Sequence, residues 1–151
     1  MIDFEARIFE LSLEGYGCSQ LLVRLALEAQ EKDNPDLLRA VSGLHGGVGQ
    51  SGKLCGALTG GACALSLYAG RGGPGEEEDP SMVPMIRALV DWFEATYGGR
   101  YGGVDCARIL GGDDRNRLAR CPEIILAVHE KAREILASNG LDPDRPNGGR
   151  S

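Results

Sequence analysis

Four of the five cysteines in this 151-residue chain sit where a thiol is easiest to ionise. Cys18 follows Gly15-Tyr16-Gly17. Cys55 follows a glycine-rich turn and opens Cys55-Gly56-Ala57-Leu58-Thr59-Gly60. Cys106 follows Asp105, and Cys121 directly precedes Pro122. Each position is predicted to mark the passage from a loop into a helix. There the first backbone N–H groups lack partners, and the partial positive charge of the helix favours a thiolate over a thiol. If the fold brings the four together, the result is a thiolate-rich site. Cys63 differs: it lies between Ala62 and Ala64 in an apolar run and reads as a small core residue. It stands about 12 Å from Cys55 along one helix, too far for a disulfide.

Four thiolates have three chemical uses. They are the standard complement for an iron–sulfur cluster, and the amides of Gly17, Gly56 and Gly60 would approach its sulfurs and tune its potential. The separations of 37, 51 and 15 residues match no compact ferredoxin run, so such a cluster would take single ligands from separate helices. The second use is thiol–disulfide exchange, with Cys18 or Cys55 attacking and another cysteine resolving. The third and weakest is zinc, whose structural sites pair ligands as C-x₂₋₄-C, a spacing not found here. A reading of another class is a non-catalytic helical interaction module, with packing cysteines and a partner on the Trp92/Phe93 face.

The elements that must position these residues read as helices almost throughout. Ile2, Ile8, Phe9 and Leu11 predict a first helix ending before Gly15. Leu22, Leu25, Ala26 and Ala29 predict a second over about 19–31. Asn34-Pro35 is a start signal, capping residue then proline, for a short helix closed by Gly43. Residues 43–53 form a glycine-rich turn. The apolar stretch from Leu54 to about Ala69 is the candidate central helix. Gly60 and Gly61 weaken it by roughly 1 kcal/mol each unless something packs closely there. Met85, Ile86, Leu89, Val90 and Phe93 mark a further helix after Ser81, and residues 105–110 a short one. The last is predicted from Pro122 to about Ser138. The expectation is an all-α, single-domain bundle of about six helices over residues 1–138, followed by a flexible tail over 139–151.

Composition narrows the function classes. The net charge of −6, with scattered arginines, opposes nucleic-acid binding, which needs clustered cations. Aromatic residues, at 5%, are too sparse for base stacking. The start Met1-Ile2-Asp3-Phe4-Glu5 lacks the basic and apolar pattern of a secretory leader. No apolar run approaches the roughly 20 residues of a membrane span. An odd cysteine count opposes a disulfide scaffold. The expectation is a protein of the reducing cytoplasm, with no membrane or nucleic-acid partner. It would act on a redox partner protein, with homo-oligomerisation left open.

Other residues tempt less. Gly47-Val48-Gly49-Gln50-Ser51-Gly52-Lys53-Leu54 nearly spells a phosphate-binding loop, but Leu54 has no hydroxyl for Mg²⁺ and no strand precedes it, so no nucleotide is expected. An anion held by these amides and Lys53 is left open. His45 beside this turn reads as a solvated loop histidine, with a ligand or proton-carrier role as the alternative. His129 is expected on the surface. Asp113-Asp114 reads as a solvated turn and Glu76-Glu77-Glu78-Asp79 as an exposed acidic loop.

The cysteine boxes resemble the C-GCAxxG-C-C family of redox-active proteins. The residues that carry the likeness are Gly15-Tyr16-Gly17-Cys18-Ser19-Gln20, Gly52-Lys53-Leu54-Cys55-Gly56-Ala57-Leu58-Thr59-Gly60, Asp105-Cys106-Ala107-Arg108-Ile109-Leu110-Gly111 and Arg120-Cys121-Pro122. The family label places Gly before Cys, whereas this chain reads Cys55-Gly56-Ala57. The resemblance implies a helical fold, redox chemistry and four functional cysteines: Cys18, Cys55, Cys106 and Cys121. Related domains accompany haem segments in split-Soret-type cytochromes, where an iron–sulfur cluster has been proposed. The chain has no Cys-x-x-Cys-His for haem attachment. The implied activity is therefore the cluster part, electron transfer through a centre such as [2Fe-2S], with a dithiol oxidoreductase as the rival.

Overall fold

Local signals start most of the helices. In the computed structural model, which describes residues 1–150, Asp3 accepts the Ala6 N–H at 3.1 Å and opens α1 (Phe4–Leu13). Gln20 reaches back to the Gly17 N–H at 3.2 Å and steadies the start of α2 (Cys18–Ala29). Asn34 caps the Leu37 N–H at 3.1 Å, with Pro35 in the first turn of α3 (Pro35–Val41), as the sequence predicts. The central helix α4 (Gly56–Ala69) follows the glycine turn. Next comes α5 (Met82–Phe93), prolonged by a wide π-helical turn (Glu94–Gly98) and one more turn (Gly99–Tyr101). α6 (Cys106–Leu110) is short, and α7 (Asn116–Ser138) is the longest. The all-α architecture is confirmed, with no strand among the described residues.

The main core joins Leu21, Leu22 and Leu25 of α2, Leu58 and Leu65 of α4, Met85, Leu89 and Phe93 of α5, and Ile124 and Val128 of α7. α4 is apolar around most of its circumference because helices pack on several of its faces. Its two glycines mark the closest approaches. A Cβ on Gly60 would stand 2.7 Å from the Ser19 Cα, and one on Gly61 would stand 2.6 Å from Val128 Cγ1. A smaller cluster of Val23, Leu27, Leu38 and Val41 seals α2 against α3, and Cys63 packs against it as a core residue.

Four expectations need correction. α7 begins at Asn116, not Pro122, because the Asp113-Asp114 turn starts it. Asp113 accepts the Arg115 N–H at 3.0 Å, Asn116 Nδ2 donates to the Leu110 carbonyl at 2.8 Å, and Pro122 lies inside the helix. His129 is buried, only 5% exposed, and its ring meets Phe4 edge to face at 4.3 Å. Phe93 is fully buried, so of the Trp92/Phe93 pair only the half-buried Trp92 reaches the surface. The segment 139–150, expected as a flexible tail, folds back onto the bundle. Leu141 is buried, Asn147 donates its N–H to Gln30 Oε1 at 2.9 Å, and the Tyr68 hydroxyl donates to the Pro143 carbonyl at 2.7 Å. Among the described residues, no helix is long and apolar enough to cross a membrane.

Candidate redox site

One antiparallel bridge, between Leu54 and Asp105, sets the register of the site. It is tied by the Cys55 N–H to the Val104 carbonyl at 3.1 Å and by the Cys106 N–H to the Lys53 carbonyl at 2.7 Å. Each chain leaves the bridge straight into a helix, so Cys55 and Cys106 are delivered at neighbouring diagonal positions although 51 residues apart. Cys18 opens α2, Cys55 caps α4 and Cys106 opens α6, as expected from the sequence. Cys121 instead lies in the second turn of α7, where no free amide faces it as a cap.

All four line one cavity of about 500 Å³. Cys63 does not. The remaining wall is mostly apolar, from Ile8, Leu21, Ile109, Ile124 and Ile125, with Tyr16, His45 and Gln50 as polar members. Gly56 is the close-approach residue: a Cβ there would fall 2.3 Å from the Cys18 sulfur. The glycine after Cys55 therefore makes the space that the first cysteine occupies. The chain order Cys55-Gly56-Ala57 has this steric reason.

The electrostatics correct the expectation of ready thiolates. The amides of Ala57 and Leu58 at the start of α4 favour the Cys55 thiolate, but burial outweighs them and pushes its pKa up to about 12. Burial and the neighbouring Cys18 raise Cys121 to about 11. Cys106 is raised by burial, with Arg117 pulling the other way. Cys63 is shifted by burial alone. At neutral pH the raised thiols keep their protons, and ionising them together requires positive charge in the cavity.

The glycine turn forms a second wall. From Gly46 to Gln50 five successive residues have φ between +60° and +73°, a turn of left-handed helix that includes the β-branched Val48 at +67°. Its amides are spent inside the loop: the N–H groups of Val48, Gly49, Gln50, Ser51, Gly52 and Lys53 donate to Leu44, Gly43, His45, Val48, Gly46 and Gly47. The phosphate-cradle likeness fails for that reason, and with it the idea of an anion held by these amides. What the turn does hold is the cavity mouth. Arg117 of α7 donates to Gln50 Oε1 at 3.5 Å and to Asp114 at 3.2 Å, and it supplies a cationic side chain to the wall.

Sequence reasoning missed Arg117, Gln50 and Tyr16 because none carries a motif. A one-residue bridge likewise leaves no periodicity to read. His45, read as a solvated loop residue, lines the cavity instead, with Nε2 buried. Among the described residues, no three His, Cys, Asp or Glu side chains stand close enough to enclose one metal ion.

No curated protein and no solved structure matches the chain. A family profile does, over residues 16–135, a span that holds all four cysteines of the cavity. The chain therefore belongs to the family described as "Putative redox-active protein (C_GCAxxG_C_C)".

Proposed function

We propose that this protein is an electron-transfer component in which Cys18, Cys55, Cys106 and Cys121 hold an iron–sulfur centre of the [2Fe-2S] kind. The observation that carries the reading is the single cavity that collects four cysteines from four helices and leaves out the fifth. Four thiolates are the complement of an iron–sulfur centre. No three of these side chains close on a single ion among the described residues, which opposes zinc. Thiols that burial holds protonated become thiolates when cationic iron offsets their charge. Bound there, such a cluster supplies reversible one-electron chemistry. The chain's own part is to position the sulfurs at the cavity and to exclude water with Ile8, Ile109 and Ile124. Electrons pass to a partner redox protein, in the reducing cytoplasm, through the mouth beside Leu118, which is 86% exposed.

Anaerobic purification with iron and sulfide assays and visible absorption tests this reading. The expected result is a coloured protein whose bands vanish in Cys55→Ser and survive in Cys63→Ser. Equal behaviour of the two variants refutes the assignment. A colourless protein whose thiols titrate in two-electron steps establishes the dithiol rival, which the raised Cys55 pKa opposes.

A further inference from the structure

We infer that Arg117 is the charge-compensating residue of the cysteine cavity, restrained by Gln50 so that its guanidinium favours the reduced centre; the inference rests on the metal-centre reading above. Among the described residues that line the cavity, Arg117 is the one arginine or lysine. It stands four residues before Cys121 on α7, so the two side chains share one helix face, with Cβ atoms about 5–6 Å apart. Ile124 and Ile125, two turns further on, continue that face into the apolar wall. Burial raises the pKa of Cys106 and of Cys121, and at both Arg117 pulls the other way, so the cation reaches sulfurs from two helices.

Two contacts hold the guanidinium at the mouth. Asp114, just before α7, accepts from Nε at 3.3 Å and from Nη2 at 3.2 Å. From the facing glycine turn, Gln50 Oε1 accepts from Nη2 at 3.5 Å. This gives the left-handed turn a purpose. Gln50 has φ +62°, and its side chain folds back over Gly46, where a Cβ would collide with Oε1. The strained backbone thus aims an amide oxygen at Arg117. In the electron-transfer step, one electron passes from the donor protein to the centre and no bond forms or breaks. The centre, already anionic from four thiolates, gains one negative charge. A nearby unit cation favours that product over the oxidised form. Asp114 offsets part of the effect, but its side chain is 85% exposed against 37% for Arg117, so water screens the carboxylate more. At about 6 Å and an effective dielectric of about 40, one unit charge changes the reduced-to-oxidised ratio about tenfold.

An EPR-monitored dithionite titration of the anaerobically purified full chain tests this. Arg117→Gln should lower the reduced-to-oxidised ratio at fixed ambient potential about tenfold, a fall of about 59 mV in midpoint for a one-electron couple. Arg117→Lys, which keeps the charge, should restore most of the wild-type midpoint. Asp114→Asn should move it the opposite way, upward. An unchanged midpoint in Arg117→Gln overturns the inference. Equal falls in Arg117→Gln and Arg117→Lys also overturn it, because they point to lost packing and not to lost charge. If Arg117→Gln does not fold, the exposed Asp114→Asn decides, and a midpoint that does not rise there overturns the inference. Any of these results on iron-loaded protein leaves the cysteine reading standing, whereas wild-type protein that binds no iron overturns both.

Discussion

Acid should weaken this fold through His129, by an amount that follows from where α7 places the ring. The imidazole lies between Phe4 and α2, 5% exposed, with Nε2 buried and unpaired among the described residues. Burial, helped by the neighbouring Arg133 and opposed weakly by Asp144, pushes its pKa from 6.5 down to about 4. At pH 7 both the folded and unfolded forms are neutral, and the group has no effect on stability. As pH falls below 6.5 the unfolded chain takes up the proton first, so stability declines, and the loss levels off below the folded value. The contribution is about 2 kcal/mol by pH 5 and about 3 kcal/mol at its limit. Urea denaturation at pH 7, 6 and 5 measures it, with His129→Met as the comparison, because methionine fills the space and does not titrate. The variant should lose about 2 kcal/mol less than the wild type between pH 7 and 5. Parallel profiles for the two proteins would refute the reasoning, as would an NMR titration that places His129 near its ordinary value of about 6.5.

Three further perturbations address the site and its supports. Gly56→Ala puts a methyl group 2.3 Å from the Cys18 sulfur, so the thiol must move. The helical gain of about 1 kcal/mol and an overpacking cost of about 1–3 kcal/mol nearly offset each other, and circular dichroism should show the fold kept while iron content falls. Val48→Gly removes a β-branched residue from φ +67° and should raise stability by about 0.5–1 kcal/mol in urea melts, since relief of left-handed strain exceeds the added chain entropy. Leu141→Ala should cost about 2–4 kcal/mol, measured by thermal melting, because its side chain is buried against the bundle. A freely moving tail would make that substitution silent.

The helices were legible because their signals are local. Asn34-Pro35 stops and starts the chain by capping chemistry alone, and the apolar spacing of Met85, Leu89 and Phe93 repeats at the helical period whatever lies opposite. Pro122 misled for the same reason. Proline is compatible with a helix start, but the Asp113-Asp114 turn with Asn116 had already satisfied the first amides and carbonyls. His129 looked exposed beside Glu130 and Lys131, yet a helix turns about 100° per residue, so sequence neighbours do not share a face. The tail looked frayed from its proline and glycine content, although Leu141, Asn147 and Arg150 find partners on α2 and α4 that composition does not reveal.

The residue order alone determined that the chain is helical and that Cys18, Cys55 and Cys106 stand where loops become helices, because caps, periodicity and chain reversals depend on a few successive residues. Folding decided what those sulfurs are. The Leu54–Asp105 bridge and the missing side chain of Gly56 bring distant cysteines onto one cavity, and burial there reverses the ionisation that helix starts alone would favour. Desolvation depends on everything that surrounds an atom, and only the assembled helices supply those surroundings.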